Sequence, residues 1–144
     1  SAIEAGSFDL VFNPVSNVFC PELPPVWRGC ARVLRPGGIL MAGFMNPAFF
    51  LFDHYAIEKG GPLEVRYSLP YSDVDHMEEL KQRGIARENT PLEFGHTLTD
   101  QIGSQLSTGF VLNDLYEDGW DTTTTPLNAY LNLFIATLAR KPPL

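Results

Sequence analysis

Arg32-Val33-Leu34-Arg35-Pro36-Gly37-Gly38-Ile39-Leu40-Met41-Ala42-Gly43-Phe44 joins a basic, helix-like end to an apolar run through Pro-Gly-Gly. A loop that cradles phosphate needs its glycines between a strand and the N-terminus of a helix, where unpaired N–H groups face the anion. Here the order is helix first and strand second, so Gly37-Gly38 reads as a structural turn. Proline cannot continue the helix, and glycine accepts the positive φ of a helix cap. Upstream, Pro24-Pro25 opens a segment in which Val26, Cys30, Val33 and Leu34 share one helical face beside Trp27. Arg32 and Arg35 occupy its last turn, where cations favour the negative end of the dipole.

Further out, Phe8-Asp9-Leu10-Val11-Phe12 is a nearly continuous apolar run closed by Asn13-Pro14, the pattern of a strand buried on both faces. Strand, helix and strand make a βαβ unit and place the chain in the α/β class. Residues 45–95 break that rhythm with Asn46-Pro47, Gly60-Gly61-Pro62, Leu69-Pro70 and Thr90-Pro91, and read as an insertion beside the sheet. Within it, Asp73 to Arg83 predicts a helix with Val74, Met77 and Leu80 facing inward. A second helix is expected from Thr97, with Leu98, Ile102 and Leu106 on its buried face and Gly109 at its end. Phe110 to Tyr116 reads as a strand. The run from Tyr130 to Ala139 fits either periodicity, and its β-branched residues favour a strand.

Composition limits the function classes. The 144 residues are 44% hydrophobic, enough for a single domain with a real core. A net charge of −7 disfavours broad contact with nucleic acid or anionic lipid, which reward clustered Lys and Arg. Cys20 and Cys30 are too few and too far apart for a zinc cluster or a CxxC redox pair, and read as buried or half-buried thiols, a disulfide between them remaining open. No apolar run reaches the roughly 18 residues of a membrane span and no signal-peptide pattern is present, so a soluble, cytoplasmic protein is expected.

With these pieces in order, the chain resembles the second half of a class I S-adenosylmethionine-dependent methyltransferase. The Phe8-Asp9-Leu10-Val11 strand resembles the fourth strand of that family's sheet, and Arg32-Val33-Leu34-Arg35-Pro36-Gly37-Gly38 the turn into the fifth. Gly109-Phe110 with its strand, and Phe134 to Arg140, resemble the antiparallel pair that finishes the sheet. The resemblance implies a Rossmann-like α/β fold over residues 1–144 with 45–95 as a cap region, S-adenosylmethionine as cofactor and a small-molecule methyl acceptor. The glycine-rich loop and the ribose-binding acid of such sites have no counterpart in the sequence, which contains no Gly-x-Gly. The chain is therefore expected to be a C-terminal portion that alone binds cofactor poorly.

Ligands of open α/β sheets bind outside the carboxyl ends of the strands. By the resemblance, the loop Asn13, Pro14, Val15 and Ser16 is the cofactor-side candidate. Phe44, Asn46 and Phe50, with Tyr116 and Trp120 from the acidic and aromatic segment 116–121, are candidates for an apolar acceptor pocket. His54 and His96 are the general-base candidates, because imidazole titrates near neutral pH. An unpaired, hydrophobic first strand also exposes the chain to self-association, which is the non-catalytic alternative.

Overall fold

The computed structural model describes residues 3–143. Among these residues six strands form two sheets: β1 (Phe8–Pro14), β2 (Leu34–Met45), β5 (Val111–Asp118) and β6 (Phe134–Arg140) in one, and the short β3 (Tyr71–Ser72) and β4 (Phe94–Gly95) in the other. The larger sheet has the order β1-β2-β6-β5. β1 and β2 are parallel, joined through the helix α1 (Pro24–Val33), and β6 runs antiparallel to both of its neighbours. The mixed sheet, with its antiparallel strand at the end of the chain, is the Rossmann-like arrangement expected. Among the described residues no helix is long and apolar enough to cross a membrane.

α1 begins at the two prolines, whose missing N–H groups cost nothing in a first turn. Its inner face buries Trp27 and Cys30 against Leu34, Leu40, Ala42, Phe110 and Ala139. Both cysteines are free thiols, Cys30 buried and Cys20 half-buried, and burial pushes the Cys30 thiol up from its ordinary range.

Three expectations about packing change. The apolar run of β1 is covered on one face only: Val11 and Asn13 turn inward, while Phe8, Leu10 and Phe12 are 45%, 48% and 66% exposed. Met41 of β2 and Tyr116 of β5 are likewise exposed, because α1 and the 97–107 helix leave the other face open. Second, α1 ends at Val33, so Arg35 lies beyond the helix and pairs with Asp9. Leu34 already opposes Phe8, and the register then jumps to Leu10 opposite Ile39, so Pro36-Gly37-Gly38 is a bulge within β2 rather than a helix cap. Gly37 has φ +77° there, and its N–H donates to the carbonyl of Lys141 (2.9 Å).

Third, the 97–107 segment turns a different face inward. Thr99–Gly103 is a π-helical turn that runs into the helix α4 (Ser104–Ser107). The five-residue turn rotates the pattern, leaving Leu98 and Leu106 half exposed and burying Gln101 and Gln105. The caps stand as expected: the Thr97 hydroxyl accepts from the Asp100 N–H (3.1 Å), and Gly109 takes φ +102°. Within residues 45–95, Asp73–His76 forms a 3₁₀ turn before the helix α3 (Met77–Gln82); Leu80 is buried but Val74 is exposed, since the 3₁₀ turn alters the phase.

At Gly38 the bulge leaves no room for a side chain. A Cβ would sit 2.9 Å from the Arg35 carbonyl oxygen and 3.2 Å from that of Asp9, both backbone atoms. Gly38→Ala is expected to cost about 1–3 kcal/mol by overpacking. Gly37→Ala meets nothing closer than 3.8 Å and should cost only the roughly 1 kcal/mol of a left-handed alanine. Urea denaturation of the two variants tests the order, and a Gly38→Ala variant as stable as the parent would refute the bulge packing.

Candidate functional site

At the carboxyl ends of β1 and β2 lies a cavity of about 320 Å³. It is assembled from pieces distant in sequence: Met45 ends β2, Phe49 and Phe50 come from the 3₁₀ turn Pro47–Leu51, and His54 starts the helix α2 (His54–Ile57). Glu93 precedes β4, and Trp120 follows β5.

The proline at 47 and the Asn46 side chain, which accepts from the Ala48 N–H (3.1 Å), start the 3₁₀ turn. Asp53 caps α2 by accepting from the Ala56 N–H (2.9 Å) and pairs with Arg66 (2.6 Å) and Arg83 (2.9 Å). Burial alone would raise the Asp53 carboxyl; the hydrogen bond from Arg83, the Ala56 amide and the two guanidinium charges outweigh it and hold it below the usual carboxylate range. α2 is thereby tied to α3, and His54 is held at its place in the wall.

His54 is 2% exposed. Phe49, Phe50 and Tyr71 surround its ring at centroid distances of 5.2, 5.2 and 5.5 Å, and Tyr55 lies at 4.2 Å. Its Nε2 is 3.3 Å from Glu93 Oε2, an ion-pair distance, yet neither ring nitrogen has a directed hydrogen bond within the protein. Glu93 is placed from behind by Asp73, a 2% exposed carboxylate. Asp73 Oδ2 accepts from the Glu93 backbone N–H (2.8 Å) and the Tyr55 hydroxyl (2.9 Å), and Oδ1 accepts from the Tyr71 hydroxyl (2.7 Å). Burial pushes both phenols well above the ordinary tyrosine range; for Tyr55 the Glu93 charge and then the Asp73 bond add to it, and for Tyr71 the Asp73 bond does.

The loop after β1 is fixed by a chain of buried amides. Asn13 Nδ2 donates to Asn17 Oδ1 (3.0 Å), and Asn17 Nδ2 donates to Gln101 Oε1 (2.8 Å). Gln105 Nε2 donates to the Gln101 carbonyl (3.0 Å) and reaches Thr137 Oγ1 of β6 (3.2 Å). His96 Nε2 lies 2.8 Å from the Cys20 carbonyl and 3.2 Å from that of Asn17. Both are acceptors, so this nitrogen carries the hydrogen and fastens the loop. Val15 stands at φ +52°, an outlier for a β-branched residue at a strand end.

Of the candidate residues, the cavity brings together His54, Phe50 and Trp120. Phe44 is fully buried in the core, and Asn46 donates to the Asn132 carbonyl (3.1 Å), so neither lines it. Tyr116 lies with Pro14 and Val15 along a second hollow of about 260 Å³ on the open face of the sheet. The Ser16 hydroxyl bonds to Asn13 Oδ1. His96 stands apart from both hollows. Sequence reasoning did not single out Glu93, Glu58 or Asp73. The signal available for the amide chain was the i,i+4 pair Gln101 and Gln105 inside an otherwise amphipathic helix.

Comparisons with known proteins agree with this fold. A family described as a methyltransferase domain matches residues 1–42. The uncharacterized methyltransferase YbaJ of Bacillus subtilis is 41% identical over 135 residues, covering 94% of this chain and 51% of that protein. The chain thus spans about half the length of the curated relative it matches. Among solved structures, a candidate S-adenosylmethionine-dependent methyltransferase from Listeria monocytogenes aligns with a TM-score of 0.70 at 15% identity, over 98% of this chain and 64% of that one. An S-adenosylmethionine-dependent methyltransferase from Mesorhizobium loti aligns at 0.64 with 16% identity, over 97% and 65%. With the βαβ unit, the bulged Pro-Gly-Gly and the closing antiparallel strand in place, the chain has the Rossmann-like fold of the S-adenosylmethionine-dependent methyltransferases and is similar to a methyltransferase over about half of that relative's length.

Proposed function

We propose that this chain forms the acceptor side of an enzyme that moves a methyl group from S-adenosylmethionine to a small molecule in the cytoplasm. The observation that carries this reading is the cavity at the carboxyl ends of the two parallel strands, walled by Phe49, Phe50, His54 and Trp120. The cofactor supplies a methyl already activated on sulfur, so the protein's task is alignment and exclusion of water. A largely apolar pocket suits that task.

The residues of the chain fit only part of a cofactor site. Pro14, Val15 and Gly43 give one apolar wall in the open-face hollow, while the Asn13 and Ser16 side chains are spent on each other and on Asn17. No glycine-rich loop is present to let a backbone approach the cofactor closely. Isothermal titration of this chain with S-adenosylhomocysteine is expected to give no micromolar binding. A micromolar dissociation constant would overturn the view that its own residues make a deficient cofactor site.

The exposed Phe8, Leu10 and Phe12 favour a second reading, in which β1 and the open face associate with another copy or a partner subunit. Light scattering separates the two: a monomer at high concentration counts against association through this face.

A further inference from the structure

The cavity has a charge character as well as a shape. Its wall carries two carboxylates, Glu58 and Glu93, and among the described residues no lysine or arginine lines it. The nearby guanidinium groups of Arg66 and Arg83 are engaged by Asp53 and Glu79. With two carboxylates and, among the described residues, no lysine or arginine in its wall, the cavity carries a negative surplus. Independently, His54 is buried with both ring nitrogens lacking a directed partner, in a wall where buried polar atoms are ordinarily satisfied. The other walls include the rings of Phe49, Phe50 and Trp120, and aromatic faces attract cations through their quadrupoles.

We infer that the ligand of this cavity is an amine bound as its ammonium, with a compact apolar or aromatic body. The ammonium lies against Glu93 and His54, and the body fills the aromatic wall. This deepens the functional reading above and rests on it for the role of the ligand as methyl acceptor. An anionic ligand is excluded by the same charges, because it would bring a third negative group into a partly desolvated space. A neutral alcohol of the same shape keeps the apolar contacts but gives up the charge-assisted hydrogen bond.

The test uses three shape-matched probes, 2-phenylethylamine, 2-phenylethanol and 3-phenylpropionate, titrated into the chain at neutral pH without cofactor and followed by protein NMR shifts. The amine is expected to bind about tenfold more tightly than the alcohol, a factor typical of one charge-assisted contact, and the propionate not at all. In Glu93→Gln the preference for amine over alcohol should fall to about twofold or less; Glu58→Gln should reduce it less, and decides the matter if Glu93→Gln does not fold. Equal binding of alcohol and amine, preferred binding of the propionate, or no amine binding at millimolar concentration would each overturn the inference. Because no cofactor is present, the amine preference is read independently of methyl transfer: an intact preference, with no transfer even when the chain is joined to a glycine-rich cofactor-binding half, would defeat the functional reading and leave this inference standing.

Discussion

Asp73→Ala is expected to lose about 3 kcal/mol or more of stability, because three donors lose their acceptor inside the protein. The hydroxyls of Tyr55 and Tyr71 and the amide of Glu93 all converge on this one buried carboxylate. Each orphaned buried donor costs roughly 1–3 kcal/mol, and rotation of the hydroxyls recovers part of the total. Asp73→Asn keeps the shape but turns an NH₂ toward donors, so it should fall between the variant and the parent. The pH dependence carries the same signature. Tyr55 and Tyr71 have raised pKa values, so their contribution is fully present below the unfolded tyrosine value of about 10 and declines as pH rises beyond it. Urea melts at neutral and alkaline pH, with amide exchange at Glu93, measure both effects. A loss under about 1 kcal/mol with unchanged exchange would show that Asp73 does not organise the cavity's back wall.

Trp27→Ala should be comparably severe, at about 3–5 kcal/mol. Trp27 is fully buried where α1 meets the sheet, and its Nε1–H donates to the Asp100 carbonyl (3.2 Å), so one side chain joins α1, β2 and the 97–107 helix. Against a total of roughly 5–15 kcal/mol for a domain, that is a large fraction. Trp27→Phe retains most of the apolar area and gives up the hydrogen bond, and is expected to cost about 1–2 kcal/mol. Denaturant midpoints provide the check, with Trp120 left as the fluorescent reporter. A Trp27→Ala variant within about 1 kcal/mol of the parent would contradict this packing.

The βαβ unit was legible because its signals are local: an apolar run, a proline-led amphipathic segment and a second apolar run. Which strand faces are covered was not legible. Leu10 and Phe12 are as apolar as Val11, and only the position of α1 decides that Val11 is the one turned inward. Similarly, Leu98, Ile102 and Leu106 promised a buried stripe. The π-helical turn and the attraction of Asn17 and Thr137 for Gln101 and Gln105 bring the polar side in instead. In the cavity, His54, Phe50 and Trp120 could be picked out by residue type. Glu93 could not, because it joins His54 only through the pairing of β3 with β4 and the reach of Asp73.

The place of β6 between β2 and β5 sets a timetable for synthesis. β2 pairs on one side with β1, made just before it, but its other side waits for Phe134–Arg140, whose main chain also closes the Pro-Gly-Gly bulge through Lys141. At roughly 5–20 residues per second, the roughly ninety residues between these strands leave the edge of β2 unsatisfied on the ribosome for about 5 to 18 seconds. During that interval the nascent chain presents the unpaired edge of β2, a surface open to chaperones that closes once β6 inserts.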